Sequence, residues 1–405
     1  MDQPAQPSVF LDRRTSPHIF TLVFMAGLSA MSMNIFLPSL PSMAVHFEAE
    51  PGLVALAVPV YLAVNAILQI FIGPISDRFG RRPVLLWAIL GFTAATIGTL
   101  VAPTIEIFLL FRMAQAVITA GLVLSRAIVR DMVGPDEAAS MMGYVMMGMA
   151  LVPMVAPMIG GVLDEAFGWK ANFWALLICA GALFAVSWYD LGETAKSTSS
   201  SFQQQVRDYP ELLTSPRFWG YCATTAFSSG AFFAFLGGGP FVATNSFGLS
   251  PSALGFFFGA PAVGYAAGNF LSGRYSKQVG INQMILIGTW LNLGGMLALL
   301  VLYMSFEISA PVFFFFFVFV GLGNGMVIPN GTAGTLSVRP HLAGTASGLG
   351  GAMMIGGGAA FSALAGLVVS DSALPLLILI CATSALGVAS IYLVIRRERA
   401  LGVTQ

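Results

Sequence analysis

Gly73-Pro74-Ile75-Ser76-Asp77-Arg78-Phe79-Gly80-Arg81-Arg82-Pro83 sets one acid and three arginines among glycines, between two long apolar stretches. So much charge in an oily sequence marks a short loop joining two helix ends. Gly73 lets one helix end approach its neighbour, and Gly80 permits the turn. Asp77, Arg78, Arg81 and Arg82 then form a charge cluster at a helix terminus.

Outward from that loop the chain stays apolar. Of its 405 residues 57% are hydrophobic and 9% are charged, with a mean hydropathy of +0.84. Soluble domains carry about a quarter charged residues, so this is an all-α polytopic membrane protein. Net charge is zero and there is no basic tract, which excludes nucleic acid as a partner. Cys179, Cys222 and Cys381 lie in apolar segments without pairing or metal spacing, so no disulfide framework, metal or other cofactor is indicated. The H-E-x-x-H pair, nucleophile elbow and phosphate loop of enzymes are absent as well.

About 20 apolar residues cross a bilayer as a helix. On that measure twelve spans are predicted, over 18–40, 53–74, 83–102, 105–128, 138–163, 171–189, 217–240, 252–273, 281–304, 310–333, 342–369 and 373–395. With both termini cytoplasmic, every Lys and Arg except Lys170 and Arg112 falls on the cytoplasmic side or at a cytoplasmic helix end. The positive-inside rule therefore selects that orientation. The stretch after the N-terminal polar tail is too long and too poorly bounded for a cleaved signal, so the first span is expected to persist. The polar run from Gly192 to Pro216 divides the spans six and six. This gives a tail over 1–17, a bundle over 18–191, a cytoplasmic linker over 192–216, a second bundle over 217–395 and a tail over 396–405. Gly73 and Gly80 recur as Gly273 and Gly280, while the acid and arginines become Lys277, Ile281 and Asn282. A parallel repeat of this kind is how two-bundle secondary transporters are built, with the substrate site near the midplane between the bundles.

The loop resembles the G-x-x-x-D-R-x-G-R-R signature of the major facilitator superfamily, which lies there between the second and third spans on the cytoplasmic side. Other residues narrow the resemblance to the Bcr/CflA-like drug exporters of that superfamily, which are drug/proton antiporters of bacterial inner membranes. They are Asn34-Ile35-Phe36-Leu37-Pro38-Ser39-Leu40-Pro41, Tyr61-Leu62 with Gln69, Ser125-Arg126-Ala127-Ile128-Val129-Arg130-Asp131, and Pro240-Phe241-Val242. The fifth span adds Pro153, Pro157, Gly160 and Gly161, similar to the antiporter core G-P-x-x-G-G with Ala156 in place of its first glycine. The resemblance implies export of small amphiphilic molecules by alternating access, with protons as coupling ion and the monomer as working unit. It further implies that Gly73, Asp77, Arg78, Gly80, Arg81, Arg130 and Asp131 act as a conformational latch.

Arg112, followed by Gln115, sits about 10 Å inside the fourth span at 1.5 Å per residue. An arginine at that depth faces a cavity, finds a partner and serves function. Asn34 stands where the subfamily commonly has an aspartate, at a similar depth, and no carboxylate occupies mid-membrane in any span. Two readings stay open. Arg112 takes an anionic substrate as its missing counter-ion, in an uptake permease or uncoupled facilitator, or it is satisfied by Asn34, Gln115 and backbone carbonyls. Asn34, Tyr61, Asn65, Arg112, Gln115, Tyr144 and Tyr265 are the candidate substrate-binding residues. Phe313 to Phe317 cover all faces of their helix, which is mostly a lipid-facing signal. His18, His46 and His341 lie at or beyond span ends, which argues against a histidine proton relay.

Overall fold

The computed structural model describes residues 8–132, 141, 145, 152, 155–195, 210–339, 342–368 and 372–402. Among them every regular element is helical. Eleven helices among the described residues are long and apolar enough to cross a bilayer. They are the first span, Ile19–His46, the second, Pro51–Phe79, the third, Arg81–Val101, and the fourth, Ile105–Val129. The sixth follows at Lys170–Asp190, then the seventh at Pro216–Phe247, the eighth at Pro251–Val279 and the ninth at Ile281–Ser305. Ala310–Ser337, Ala346–Leu367 and Leu374–Ala400 are the tenth, eleventh and twelfth. The fifth expected span is described only in part; it is helical over 155–167.

Local chemistry sets these boundaries. Ser215 and Ser250 accept first-turn amides, and each is followed by a proline, whose fixed φ and missing N–H suit the first helical position. The second and third spans meet at Gly80, with φ +94°, and the eighth and ninth at Gly280, with φ +89°. Both glycines take the left-handed region that a side chain would strain. Their amides donate to Ser76 and Ser276 carbonyls respectively, each at 2.9 Å. The two turns are thus the same structure 200 residues apart, the repeat foreseen from the glycine spacing. The twelfth helix continues to Ala400, past the expected boundary at 395, and Glu398 in its last turn is buried.

The first four spans and the sixth pack on one another, as do the seventh to the twelfth. In the second group, the eighth and tenth spans meet through two facing small-residue stripes. A Cβ on Gly264 or Gly268 would overlap the carbonyls of Val318 and Leu322, and one on Gly321 or Gly325 those of Pro261 and Tyr265. Without water to drive association, such close backbone approach is what holds helices together in a bilayer. The phenylalanine run departs from its lipid-facing reading. Phe313, Phe314 and Phe317 are buried against Phe235 and Phe247, and only Phe315 is well exposed. The helix is interrupted at Phe316, which turns the two segments' rings to one side.

Among the described residues the two groups touch at the end opposite the Gly80 and Gly280 turns, hereafter the far end, and along the second and eleventh spans. There the Cβ positions of Gly161 and Gly255 would overlap the Pro251 and Pro157 carbonyls, joining the fifth span to the eighth. A Cβ on Gly52 would lie 3.0 Å from the Gly366 carbonyl, joining the second to the eleventh. The Ser252 amide also donates to Glu165 Oε2 at 3.3 Å. The contact between second and eleventh spans extends inward to Gln69 and Gly351.

Candidate functional site

Arg112 is fully buried, and its donors are spent inside the first group of spans. Nη2 donates to the Ser32 carbonyl at 2.8 Å, and Nη1 to Gln115 Oε1 at 2.8 Å. Nε reaches the Ala57 carbonyl at 3.4 Å. The guanidinium lies between the rings of Phe36 and Tyr61, at 4.3 and 4.1 Å from their centroids. Gln115 passes the network on by donating to Thr96 Oγ1 at 2.8 Å. A planar cation with a fixed fork of donors suits this arrangement, because flat faces accept the rings while the edge feeds carbonyls. Arg112 therefore ties the first, second, third and fourth spans together.

Asn34 stays apart from that network. Its amide donates to the Ala30 carbonyl of its own helix at 2.6 Å. Ser32 and Phe36, four residues apart and on one helical face, supply the first span's contacts to Arg112, which turns the intervening Asn34 away. Of the two sequence readings, satisfaction by Gln115 and backbone carbonyls matches the geometry, without Asn34. The Tyr61 hydroxyl lies beside Ser32 and Asn65. Asn65 accepts Gln69 Nε2 at 2.7 Å. Tyr265 is half-buried in the eighth span, far along the chain from these residues. Tyr144 and Pro153 lie outside the described residues, as does the side chain of Arg130.

The loop residues converge on Arg81. Its Nε donates to Asp131 Oδ2 at 3.1 Å, and Nη1 pairs with Asp77 and with the Ser76 hydroxyl. These contacts tie the second, third and fourth spans. Gly73 supports them by accepting the Ser76 hydroxyl at its carbonyl, 2.8 Å away. Arg78 is exposed and lies over its neighbour Phe79. At the far end Gly160 packs against the Ile35 carbonyl of the first span, while Pro157 and Gly161 face the eighth.

Three supports escaped the sequence reading. Glu193, just past the sixth span, accepts the backbone amides of Arg81 at 2.8 Å and Arg82 at 3.3 Å, capping the third span. Asp190 accepts the amides of Leu11 and His18 and the Thr21 hydroxyl, fastening the N-terminal segment to the sixth span. In the second group, Glu398 gathers Arg217 Nε, the Tyr221 hydroxyl and Asn282, whose position matches that of Arg82. Each of these acids draws on residues more than a hundred positions away, so no local pattern announces them.

The sequence places Arg126 within a helix-end motif. In the helix Thr119–Met132 it is exposed while Ser125 before it and Ala127, Ile128 and Val129 after it are buried. Its electrostatic neighbour is Tyr265, from the other group of spans.

The sequence profile described as Major Facilitator Superfamily matches residues 22–363 and again 240–402. This chain belongs to the Major Facilitator Superfamily. A Bacillus subtilis MFS-type transporter, YdgK, is 31% identical over 91% of this chain and 92% of its own length. The bicyclomycin resistance protein homolog of Haemophilus influenzae is 28% identical over 94% of this chain and 96% of its own. Multidrug resistance protein D of Escherichia coli is 27% identical over 84% and 86%. These relatives bear out the Bcr/CflA-like assignment. The fold matches that of a bacterial homolog of the lysosomal transporter Spinster in an inward-facing, occupied conformation, with TM-score 0.71, 16% identity and coverage of 93% and 96%. It also matches a peptide transporter, POT, with TM-score 0.76, 14% identity and coverage of 95% and 94%. The MFS protein is a multi-pass membrane transporter.

Proposed function

We propose that this MFS transporter exports small amphiphilic molecules across a bacterial inner membrane, as a monomer, by alternating access coupled to proton antiport. In this reading both termini are cytoplasmic, twelve spans form two six-helix bundles joined by the 192–216 linker, and the Gly80 and Gly280 turns face the cytoplasm. The distribution of arginines supports that orientation. The observation that carries the mechanism is the close backbone contact between the two groups of spans at the far end. Gly161, Gly255, Gly52 and Glu165 close the far end. A closed far end belongs to one of the two states alternating access needs. Drug-resistance proteins among the relatives support export as the direction.

A second reading, an uncoupled facilitator, is favoured by Asn34, whose amide carries no exchangeable charge. Reconstitution into liposomes with an imposed pH gradient and a panel of drugs, sugars, amino acids and organic acids tests both. Gradient-driven accumulation of drugs is the expected result. Equilibration that ignores the gradient would establish the facilitator instead.

A further inference from the structure

At the turn end of the second group, a cleft of about 220 Å³ opens between the start of the seventh span and the ends of the tenth and twelfth. Arg217, Arg339 and Arg397 line it, one from each of those helix ends. Two of them are held by acids. Arg217 Nε donates to Glu398 Oε1 at 3.0 Å, and Arg339 Nε pairs with Glu211 Oε1 at 2.9 Å. Arg397 meets no acid or other acceptor among the described residues, and no described residue takes Nη1 of Arg217. Three arginines against two acids leave one positive charge in the cleft wall unbalanced. Arg396 and Arg399, exposed on the same helix end, lie outside the cleft. Four residues before Arg397, on the same helical face, Leu393 is exposed, and four residues after it so is Leu401, itself part of the cleft wall. Leu386 continues this exposed apolar stripe toward the middle of the span. On a helix that crosses a bilayer such a stripe faces acyl chains, and here it leads to an arginine. Trp219, exposed near the start of the seventh span, donates its indole N–H to the Leu213 carbonyl at 2.7 Å. An amphipathic ring placed so belongs at headgroup level.

We infer that this cleft binds the phosphate of an anionic phospholipid with a small headgroup, such as phosphatidylglycerol, in the leaflet at the turn end. Arg397 offers an unspent guanidinium fork, Arg217 its Nη1, and the exposed Arg339 its remaining donors, a set that matches the oxygens of a phosphodiester. The single negative charge of that lipid answers the single unbalanced positive one. Drug-sized ligands need about 300–1,000 Å³, so the smaller volume suits a headgroup rather than a transported molecule. A free phosphate would use the arginines alone, whereas a lipid also covers Leu386 and Leu393 with its chains. Basic clefts between span ends are where anionic headgroups are held. Glu211, the partner of Arg339, lies in the 192–216 linker, so a bound lipid also fixes where that linker enters the second group. The inference needs only that these helices span a bilayer, and it is independent of the direction and coupling of transport.

Native mass spectrometry of the full-length protein, released from micelles that hold equal amounts of phosphatidylglycerol and phosphatidylcholine, counts the lipids retained. Titrating phosphatidylglycerol then gives its apparent affinity. Wild type should keep phosphatidylglycerol in preference to phosphatidylcholine. Arg397→Gln and Arg339→Gln should each weaken it about fivefold, the scale of one basic side chain at an anionic surface, and the double variant further. Arg396→Gln removes an equal charge from the same helix end outside the cleft, and should leave the affinity within about twofold of wild type. Because Arg397 has no acid partner to strand, Arg397→Gln should melt with wild type in phosphatidylcholine alone and below it once phosphatidylglycerol is added. Inorganic phosphate and glycerol 3-phosphate at millimolar concentration separate the two sources of the anion, and neither should displace the lipid. Displacement by either would assign the cleft to a soluble phosphate and overturn the lipid. No preference for phosphatidylglycerol in wild type, or an equal loss in Arg396→Gln, would overturn the site.

Discussion

Glu193 accepts the backbone amide of Arg81 at 2.8 Å, although the two residues are 112 positions apart. The contact does for the third span what a local cap does for an ordinary helix, satisfying first-turn amides that have no intrahelical acceptor. Glu193→Ala should therefore cost about 1 kcal/mol, the usual scale of a lost cap. A Cβ on Gly80 would strike the same carboxylate. Gly80→Ala should cost roughly 1–2 kcal/mol for the left-handed backbone and also displace Glu193. In that background the Glu193→Ala increment should shrink, since two changes to one contact do not add. Thermal melting of the single and double variants in detergent checks this, and full additivity would sink it.

For Arg112 the geometry predicts a structural phenotype. Arg112→Met removes the charge but leaves the Ser32 carbonyl and Gln115 short of donors, at about 1–3 kcal/mol for each buried group left unpaired. Arg112→Lys should fare poorly too, because an ammonium cannot fork to two acceptors while filling the space between the Phe36 and Tyr61 rings. Melting temperature should fall in both variants, and transport of anionic and cationic dyes should fall in parallel. A loss confined to anions would place Arg112 in contact with substrate.

The spans were legible because a bilayer demands about 20 apolar residues, and the charged loop was legible because glycine and arginine stand out against them. Gly80 and Gly280 even share a backbone conformation, and Ser76 and Ser276 accept the same turn hydrogen bond. What spacing could not give was helix rotation. Depth alone made Arg112 the candidate cavity cation, yet rotation seals it and exposes Arg126 instead. Position 34 was singled out for what it lacks, while its neighbours Ser32 and Phe36 carry the contacts. Glu193, Asp190 and Glu398 were out of reach for another reason: their partners are assembled only by tertiary packing.

Two adjacent carboxylates at the far end should respond to pH with opposite signs. Burial pushes the Asp164 carboxyl above its ordinary value of 3.8, with the Ser42 and Ser39 hydroxyls offsetting part of the effect. The native state thus holds that proton more tightly than the unfolded chain, so stability is lost as pH rises above about 4. Asp164→Asn should melt higher than wild type at pH 7, with the gap closing on acidification. Hydrogen bonding to Ser252 holds Glu165 below its ordinary 4.5, so its contribution is present above that value and lost only as pH falls further. The deficit of Glu165→Gln should therefore be the same at pH 5.5 and pH 8. A Glu165→Gln deficit that vanishes by pH 5.5 would contradict this.

The far-end seal between the fifth and eighth spans depends on the absence of two side chains. A Cβ at Gly161 would overlap the Pro251 carbonyl, and one at Gly255 the Pro157 carbonyl. In both cases the obstacle is backbone, which cannot swing aside as a long side chain does. Gly161→Ala or Gly255→Ala should wedge the two spans apart and favour the state open at the far end, while leaving Arg81 and its partners at the other end untouched. A cysteine replacing Ser252, in a background with Cys179, Cys222 and Cys381 changed to alanine, reports the shift by its rate of labelling with a membrane-impermeant maleimide. That rate should rise severalfold in either glycine variant. Adding both substitutions should give little more than one, because each opens the same contact. An unchanged rate with normal transport would mean that the seal tolerates a methyl group, and the closed far end would then owe its stability to the contact between Gly52 and Gly366.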